Sequence, residues 1–310
     1  MYITKRSGHN PHIRANQELH WMSYAAFNWS PYYDKETQTT HALFRAMTQP
    51  DLLAQGPRFS MSSIGYTCSN DEEHFSNYKQ FIYPEHEWER YGCEDPRVTK
   101  IGDTFYIFYT ALSAYPFASG GIKVAVATTK DFKTIKEKKL VTPFNAKAMT
   151  LFPEKINGKF TALLTVDPDE PPAKMAIIQF EREEDIWDQG YWHDWYTKID
   201  DHILDPRKND QDHCEVGAAP VWTKDGWLLI YSHIQDYFNE DHRIFGIEAL
   251  LLDHNDPRKI IGRTTGPILV PEQIYEKEGQ YKNIVFPSGA IILDDKLDIY
   301  YGGADSVCCM

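Results

Sequence analysis

Long apolar runs are missing from this 310-residue sequence, and no stretch approaches the ~18 residues that cross a bilayer as a helix. The opening residues, MYITKRSGHNPHIRANQELHW, lack the apolar centre of a secretion signal, so a cytoplasmic chain is expected. Cysteine is scarce. The five present (Cys68, Cys93, Cys214, Cys308 and Cys309) form no C-x-x-C pair, which argues for reduced thiols and against a thiolate metal site. Positive charge is short as well: 32 Lys+Arg stand against 45 Asp+Glu, a net −13. That balance opposes nucleic acid and anionic membrane as partners. There is no Gly-rich phosphate loop, Gly120-Gly121 reading as a hairpin turn. His193, His202, His213, His233 and His242 have neither an H-E-x-x-H spacing nor a cysteine companion, so most are expected at the surface or in hydrogen-bonded loops. No metal and no organic cofactor is implied. Helical periodicity is poor, since EREEDIWDQGYW and PEQIYEKEG are short and broken by turn residues.

Turn signals between β-branched and aromatic runs are what the sequence has in quantity. Four segments share one form, each led by a proline: Pro96 to Asp103 before TFYIFYTA, Pro153 to Gly158 before KFTALLTV, Pro220 to Gly226 before WLLIYSH, and Pro287 to Asp295 before KLDIYYGGAD. Gly-Asp, Asn-Gly, Asp-Gly and Asp-Asp pairs supply the positive φ of tight hairpins. A fifth, more degenerate unit places Asp34-Lys35-Glu36-Thr37 between strand-like runs. Five units at about 62 residues each have the size of four-stranded blades with generous loops. An all-β, five-bladed propeller is therefore expected, as one domain over residues 1–310 with a central channel. A two-sheet sandwich fits the regular proline-led spacing less well. The chain stops soon after the strand that begins at Asp305, so the last blade's outer strand is expected to be missing or supplied by the N-terminal segment.

In a propeller the innermost strands converge on the channel, which brings equivalent repeat positions together. The segments before the repeated prolines are Gly92 to Asp95, Thr150 to Phe152, Glu215 to Ala219 and Asn283 to Phe286. Acids at two of these points, with Asp305 and the rings of Tyr91, Phe152, Phe286 and Tyr301, suit a sugar site. Opposed carboxyls are the tool of glycosidic cleavage, one protonating the leaving oxygen and one activating the attacker. Trp187, Trp192 and Trp195 are expected to pack between blades.

The runs Ala26-Phe27-Asn28, Phe44-Arg45-Ala46, Gly92-Cys93-Glu94-Asp95-Pro96-Arg97, Leu151-Phe152-Pro153-Glu154-Lys155, Gly226 to Tyr231, Leu251-Leu252-Asp253 and Asn283 to Gly289, closing with Tyr300 to Asp305, occur in order over nearly the whole chain. Together they resemble family 130 of the glycoside hydrolases, five-bladed propellers that act on β-mannosides with inversion, by phosphorolysis or by hydrolysis. The resemblance implies Asp95 as proton donor, and Asn28, Arg45 and Asp305 as residues holding the mannosyl unit at the cleaved bond; Phe286 is expected to contact substrate beside them. One departure stands out. Where phosphorylases of the family carry an Arg in a His-Arg-Pro run, this chain reads Leu164-Thr165-Val166-Asp167-Pro168, and their lysine is Glu215 here. At ~4 Å and an effective dielectric near 20, each unit charge contributes about 4 kcal/mol, so a carboxylate in place of a lysine disfavours phosphate strongly.

The expectation is an inverting, exo-acting β-mannosidase on short β-1,2-linked mannosides, with Glu215 as general base and Glu248 as second candidate or partner. A phosphorylase with a phosphate site rebuilt from Lys147, Lys174 or His233 is the first alternative. A non-catalytic carbohydrate-binding propeller is the second. A homo-oligomer is compatible with either.

Overall fold

Asn157, Asp294 and Asp295, with Gly102 and Gly158, all take φ between 48° and 81°, so the turn pairs do bend the chain into hairpins. The computed structural model describes residues 3–52 and 58–310. Among them the fold is all-β with few, short helices. The first antiparallel meander comprises β1 (Ala25–Asp34), β2 (Thr39–Met47), β5 (Ser62–Ser69) and β6 (Ser76–Ile82); the short β3 (Asp51–Leu52) and β4 (Arg58–Phe59) pair beside it. The second has β7 (Gly92–Ile101), β8 (Thr104–Leu112), β9 (Ile122–Thr129) and β10 (Glu137–Leu140), and a single parallel bridge, Ser62 to Gly92, joins it to the first. The third is β11 (Ala146–Leu151), β12 (Phe160–Val166) and β13 (Lys174–Phe180). The fourth is β14 (His213–Val216), β15 (Val221–Thr223), β16 (Gly226–Gln235), β17 (Ile244–Leu252) and β18 (Ile260–Arg263). The fifth is β19 (Val285–Leu293), β20 (Lys296–Gly303) and β21 (Val307–Cys309).

Five apolar clusters lie between successive meanders, and the last joins the fifth to the first. Leu43, Val98 and Ile107 fill the first gap, Phe108, Leu151 and Leu164 the second, and Leu163, Val216 and Leu229 the third. Ile230, Ile247 and Tyr301 fill the fourth; Phe44, Trp29 and Tyr300 close the fifth. A strand covered on both faces has no solvent side, which is why β8 and β12 are buried almost from end to end and carry no charged residue. Backbone contacts reinforce the join of last to first: Trp29 Nε1 donates to Cys309 O at 2.8 Å and Ser288 Oγ to Trp29 O at 2.9 Å.

The N-terminal segment lies along β21. Ile13 bridges Cys308, and Ser7 N donates to Met310 O at 2.9 Å. Arg6 fixes it further, its Nε and NH2 gripping both oxygens of the buried Glu276 carboxylate at 2.7 and 3.0 Å. The expected interruption of helices is largely seen, yet two form: the single turn Ile274–Lys277, and α1 (Gln189–Tyr196) behind an Asp188 cap that accepts from Tyr191 N at 2.7 Å. Trp192 and Trp195 from α1 pack with Phe144 and Phe180 over the third meander.

One irregularity recurs. The inner strand of four meanders carries a bulge, between Phe27 and Ser30, Glu94 and Arg97, Lys147 and Thr150, and Pro287 and Gly289. In the fourth meander the inner strand simply breaks between β14 and β15. A bulge re-aims the side chains next to it. It also corrects the register read from the prolines in the third meander. Pro153 lies beyond β11, and the residue equivalent to Glu94 there is Lys147, so Thr150 to Phe152 do not face the cavity. Phe152 is fully buried against Trp227 instead.

Candidate functional site

The residues just before three of these bulges share one cavity. Phe27, Glu94 and Lys147 line it together with Glu215 from β14, and its volume is about 690 Å³, within the range of small-molecule sites. Asn28 and Asp95 sit in the bulges themselves with φ of 50° and 52°, and Asp305 follows β20 with φ 49°. Left-handed backbone at non-glycine residues is costly and gathers where a side chain must be aimed. All three are residues the sequence reading marked for the site.

Arg45 organises this end. Its NH2 is paired with Glu94 Oε1, its NH1 lies 3.5 Å from Asp95 Oδ1, and its Nε donates to Ser62 Oγ at 3.2 Å. The guanidinium also covers the Phe27 ring at 4.8 Å. Asn28 Nδ2 donates to Asp95 Oδ1 at 2.9 Å, while Asn28 Oδ1 is buried with no partner among the described residues. Arg97, fully buried, donates from Nε to Gly217 O and from NH1 to Pro96 O at 3.0 Å, tying the second meander to the fourth beneath the cavity.

The carboxyls respond unequally to this field. Burial works against ionisation of Asp95, but Arg45, Arg97 and the Asn28 hydrogen bond outweigh it and hold the group below the usual carboxylate range. Burial raises Glu94, with Arg45 opposing and Asp95 adding to the rise. Asp305 is pushed up to about 7 by burial, against the pull of Arg45 and with the repulsion of Asp95, Glu94 and Glu215. These acids titrate as a set, so a proton present near neutral pH belongs to the group.

Glu215 lines the cavity, and His213 Nε2 lies 3.1 Å from its Oε1. His213 Nδ1 accepts from Ala173 N at 3.3 Å, which leaves Nε2 as the donor to Glu215. The imidazole is stacked on Tyr237 at 4.2 Å. Lys147 reaches Asp169 Oδ1 at 3.3 Å; burial lowers its pKa, but Asp169, Glu215, Glu94 and Asp95 together raise it. Arg243, Lys282, Asp169, Tyr237 and Glu240 add to the charged and polar lining, all from loops and none of them expected from the sequence as site residues.

Glu248 is elsewhere. It is fully buried within the fourth meander, where Lys208 Nζ lies 2.6 Å and His233 Nδ1 2.8 Å from Oε1, and Tyr231 OH donates to Oε2 at 3.2 Å. Asp212 Oδ2 holds the other face of His233 at 3.0 Å. Its charged partners are a lysine and a histidine, and the structure does not bring it to Glu215's side of the sheet. His213 and His233 are thus buried within strands and paired with acids, whereas His193 and His242 are exposed, as expected of most histidines here. Phe286, Tyr91 and Tyr301 do not line the cavity; the buried Tyr301 OH donates to Glu276 at 2.8 Å. Lys174 faces a second, smaller cavity beside Asp205 and Arg207.

Residues 54–310 match the family model Glyco_hydro_130, described as beta-1,4-mannooligosaccharide phosphorylase. A "1,2-beta-oligomannan phosphorylase" of Thermoanaerobacter sp. (strain X514) is 35% identical over 99% of this chain and 96% of its own. A "Beta-1,2-mannobiose phosphorylase" of Listeria innocua is 36% identical over 80% of this chain and 65% of its own. Among solved structures, the Listeria innocua enzyme in complex with β-1,2-mannobiose superposes with a TM-score of 0.77 at 27% identity, covering 98% of this chain and 94% of that one. A structure described with hydrolases of the same family that target β-1,2-mannosidic linkages in Candida mannan gives 0.72 at 21% identity, covering 97% and 90%. Among the described residues, no helix is long and apolar enough to cross a membrane.

Proposed function

Because this chain belongs to glycoside hydrolase family 130, we propose that it removes mannosyl units from the end of β-1,2-linked mannosides with inversion, inorganic phosphate being the attacking group. In this reading the five meanders close into a single five-bladed propeller domain, as the five inter-sheet cores support, with the cavity at its centre. The mannosyl unit lies among Asn28, Arg45 and Asp305. Asp95 passes a proton to the leaving oxygen, drawing on the proton it shares with Glu94 and Asp305. Phosphate attacks the anomeric carbon from the opposite face, the glycosidic bond breaks, and α-mannose 1-phosphate and a shortened saccharide leave.

The observation that carries the choice of phosphate is the presence of Lys147, Arg243 and Lys282 in the same cavity as the acid set. Lys147 is the alternative ligand named from sequence; His233 and Lys174 fall outside the cavity. Both curated relatives named above bear phosphorylase names, one of them matching this chain almost end to end, and they support the same choice.

Hydrolysis is the second reading, and Glu215 favours it. A carboxylate lining the cavity and oriented by His213 can deprotonate water, and it repels a phosphate dianion. Product analysis of a β-1,2-mannobiose digest with and without phosphate decides between them. Phosphate-dependent release of α-mannose 1-phosphate is expected. Equal release of free mannose without phosphate would transfer the assignment to hydrolysis, and binding without products would leave a carbohydrate-binding protein.

A further inference from the structure

Phe117 lines the cavity yet leaves 47% of its surface exposed, in the loop between β8 and β9. Its ring is not loose. Tyr115 stands edge-on to it at 5.1 Å, and Phe59 lies 6.1 Å away and packs on Tyr115 at 5.0 Å. Tyr115 OH in turn donates to Arg58 O at 3.3 Å. Two rings behind a third hold its free face in place, and an exposed phenyl fixed in this way presents a flat apolar surface at the edge of a cavity that also carries charged side chains.

A mannopyranose ring carries axial hydrogens at C3 and C5 on one face, joined by that at C1 when the unit is a β-anomer, which makes that face less polar than the opposite one, where the axial C2 hydroxyl stands. An aromatic ring meets that face, and polar side chains around it meet the hydroxyls; Gln280 and Asn283 line the same cavity. The acid set of Arg45, Asp95 and Asp305 takes the unit whose bond is cut. The remainder of the saccharide must therefore run outward, toward the exposed lining.

We propose that Phe117 is the stacking platform for a mannosyl unit on the leaving-group side of the cleaved bond, and so a determinant of specificity for saccharide over other leaving groups. The inference rests on the β-mannoside reading above. Steady-state kinetics at saturating phosphate on two substrates test it: β-1,2-mannobiose, whose leaving group is a sugar, and β-mannosyl fluoride, whose leaving group is one atom. Phe117→Ala should lower kcat/KM on mannobiose about tenfold, mostly through KM, the size of a lost aromatic stack. It should leave the fluoride within about twofold of wild type. Phe117→Trp should restore mannobiose turnover, and an unchanged unfolding midpoint shows that both variants fold.

Equal losses on both substrates would mean that the ring only shapes the loop, and no loss on either would mean that it touches no sugar; both overturn the proposal. Wild-type enzyme that turns over neither substrate would remove the β-mannoside reading itself, and this inference with it. That result is distinct from an active wild type with an indifferent Phe117.

Discussion

Two clusters of buried acid and base sit some strands apart in this protein, and they are built to opposite ends. In the fourth meander, Glu248 is closed in by Lys208, His233, Tyr231 and Thr264, and His233 by Glu248 and Asp212. At the cavity, Arg45 must serve Glu94 and Asp95 and feels Asp305 as well, while Asn28 Oδ1 is left without a partner among the described residues. One cluster is saturated, and the other leaves a buried acceptor without a donor among the described residues. A saturated cluster stabilises the fold, whereas an unsatisfied one waits for a ligand and makes the fold less stable for it.

The sharpest way to break that comparison is to exchange the expected effects. Asp95→Asn should lower turnover of β-1,2-mannobiose by roughly 10²- to 10⁴-fold, the usual contribution of a positioned acid or base, in a protein that stays folded. Glu248→Gln should do the reverse. Taking one partner from a buried charge network costs about 3–5 kcal/mol, so denaturant unfolding should shift by that amount while the folded fraction keeps kcat within a few-fold of wild type. Loss of activity at unchanged stability in Glu248→Gln would return that residue to the site.

Glu215→Gln tests which attacker the cavity is built for. With phosphate as nucleophile, removing a like charge should lower the KM for phosphate, by up to about tenfold if the two lie within several ångströms. With water as nucleophile, the same change should cost about 10²-fold or more in kcat. Phosphate titrations of the two proteins separate these outcomes.

The smallest effects lie in the pH dependence of stability, and they run in opposite directions. Glu248 is lowered to about 2 from the usual 4.5: burial opposes its ionisation, but His233 and Lys208 prevail. Its contribution is present above pH 4.5 and is lost as pH falls toward 2. His233 is raised from 6.5, burial being outweighed by Glu248 and Asp212, so its contribution is complete below pH 6.5 and fades as pH rises through the raised value. The cluster therefore stabilises most between about pH 4.5 and 6.5. Asp305, raised to about 7, binds its proton more tightly folded than unfolded and so costs stability as pH rises from 3.8 toward 7. Asp305→Asn should raise the unfolding midpoint at pH 8 by about 2 °C or more, leave it nearly unchanged at pH 4, and lower kcat/KM. An equal shift at both pH values would count against an ionisation cost.

Much of this was legible in the residues. Hairpins at Gly102-Asp103, Asn157-Gly158 and Asp294-Asp295 could be located because few residues tolerate the left-handed backbone those turns need. Asn28, Arg45, Asp95 and Asp305 were picked out by motif, and they do converge. The third meander went wrong because Pro153 imitates Pro96, whereas its bulge at Ala148-Met149 contains no proline. Glu248 misled for a different reason: the residues that saturate it, Lys208, Tyr231 and His233, lie on another strand and a loop, invisible to any local pattern. Tyr237, Glu240 and Arg243 sit in the loop between β16 and β17, where turn composition hides chemistry.

By itself, the sequence determined where this chain turns, which runs are buried, and which short motifs carry acid, amide and guanidinium groups, because turn dihedrals and apolar burial are local demands on local residues. The tertiary structure decided which of 45 acids share a cavity and which are neutralised inside a sheet. A carboxylate's role depends on the charges and donors within a few ångströms of it, and in a fold whose sheets meet through their inner strands those neighbours come from distant parts of the chain.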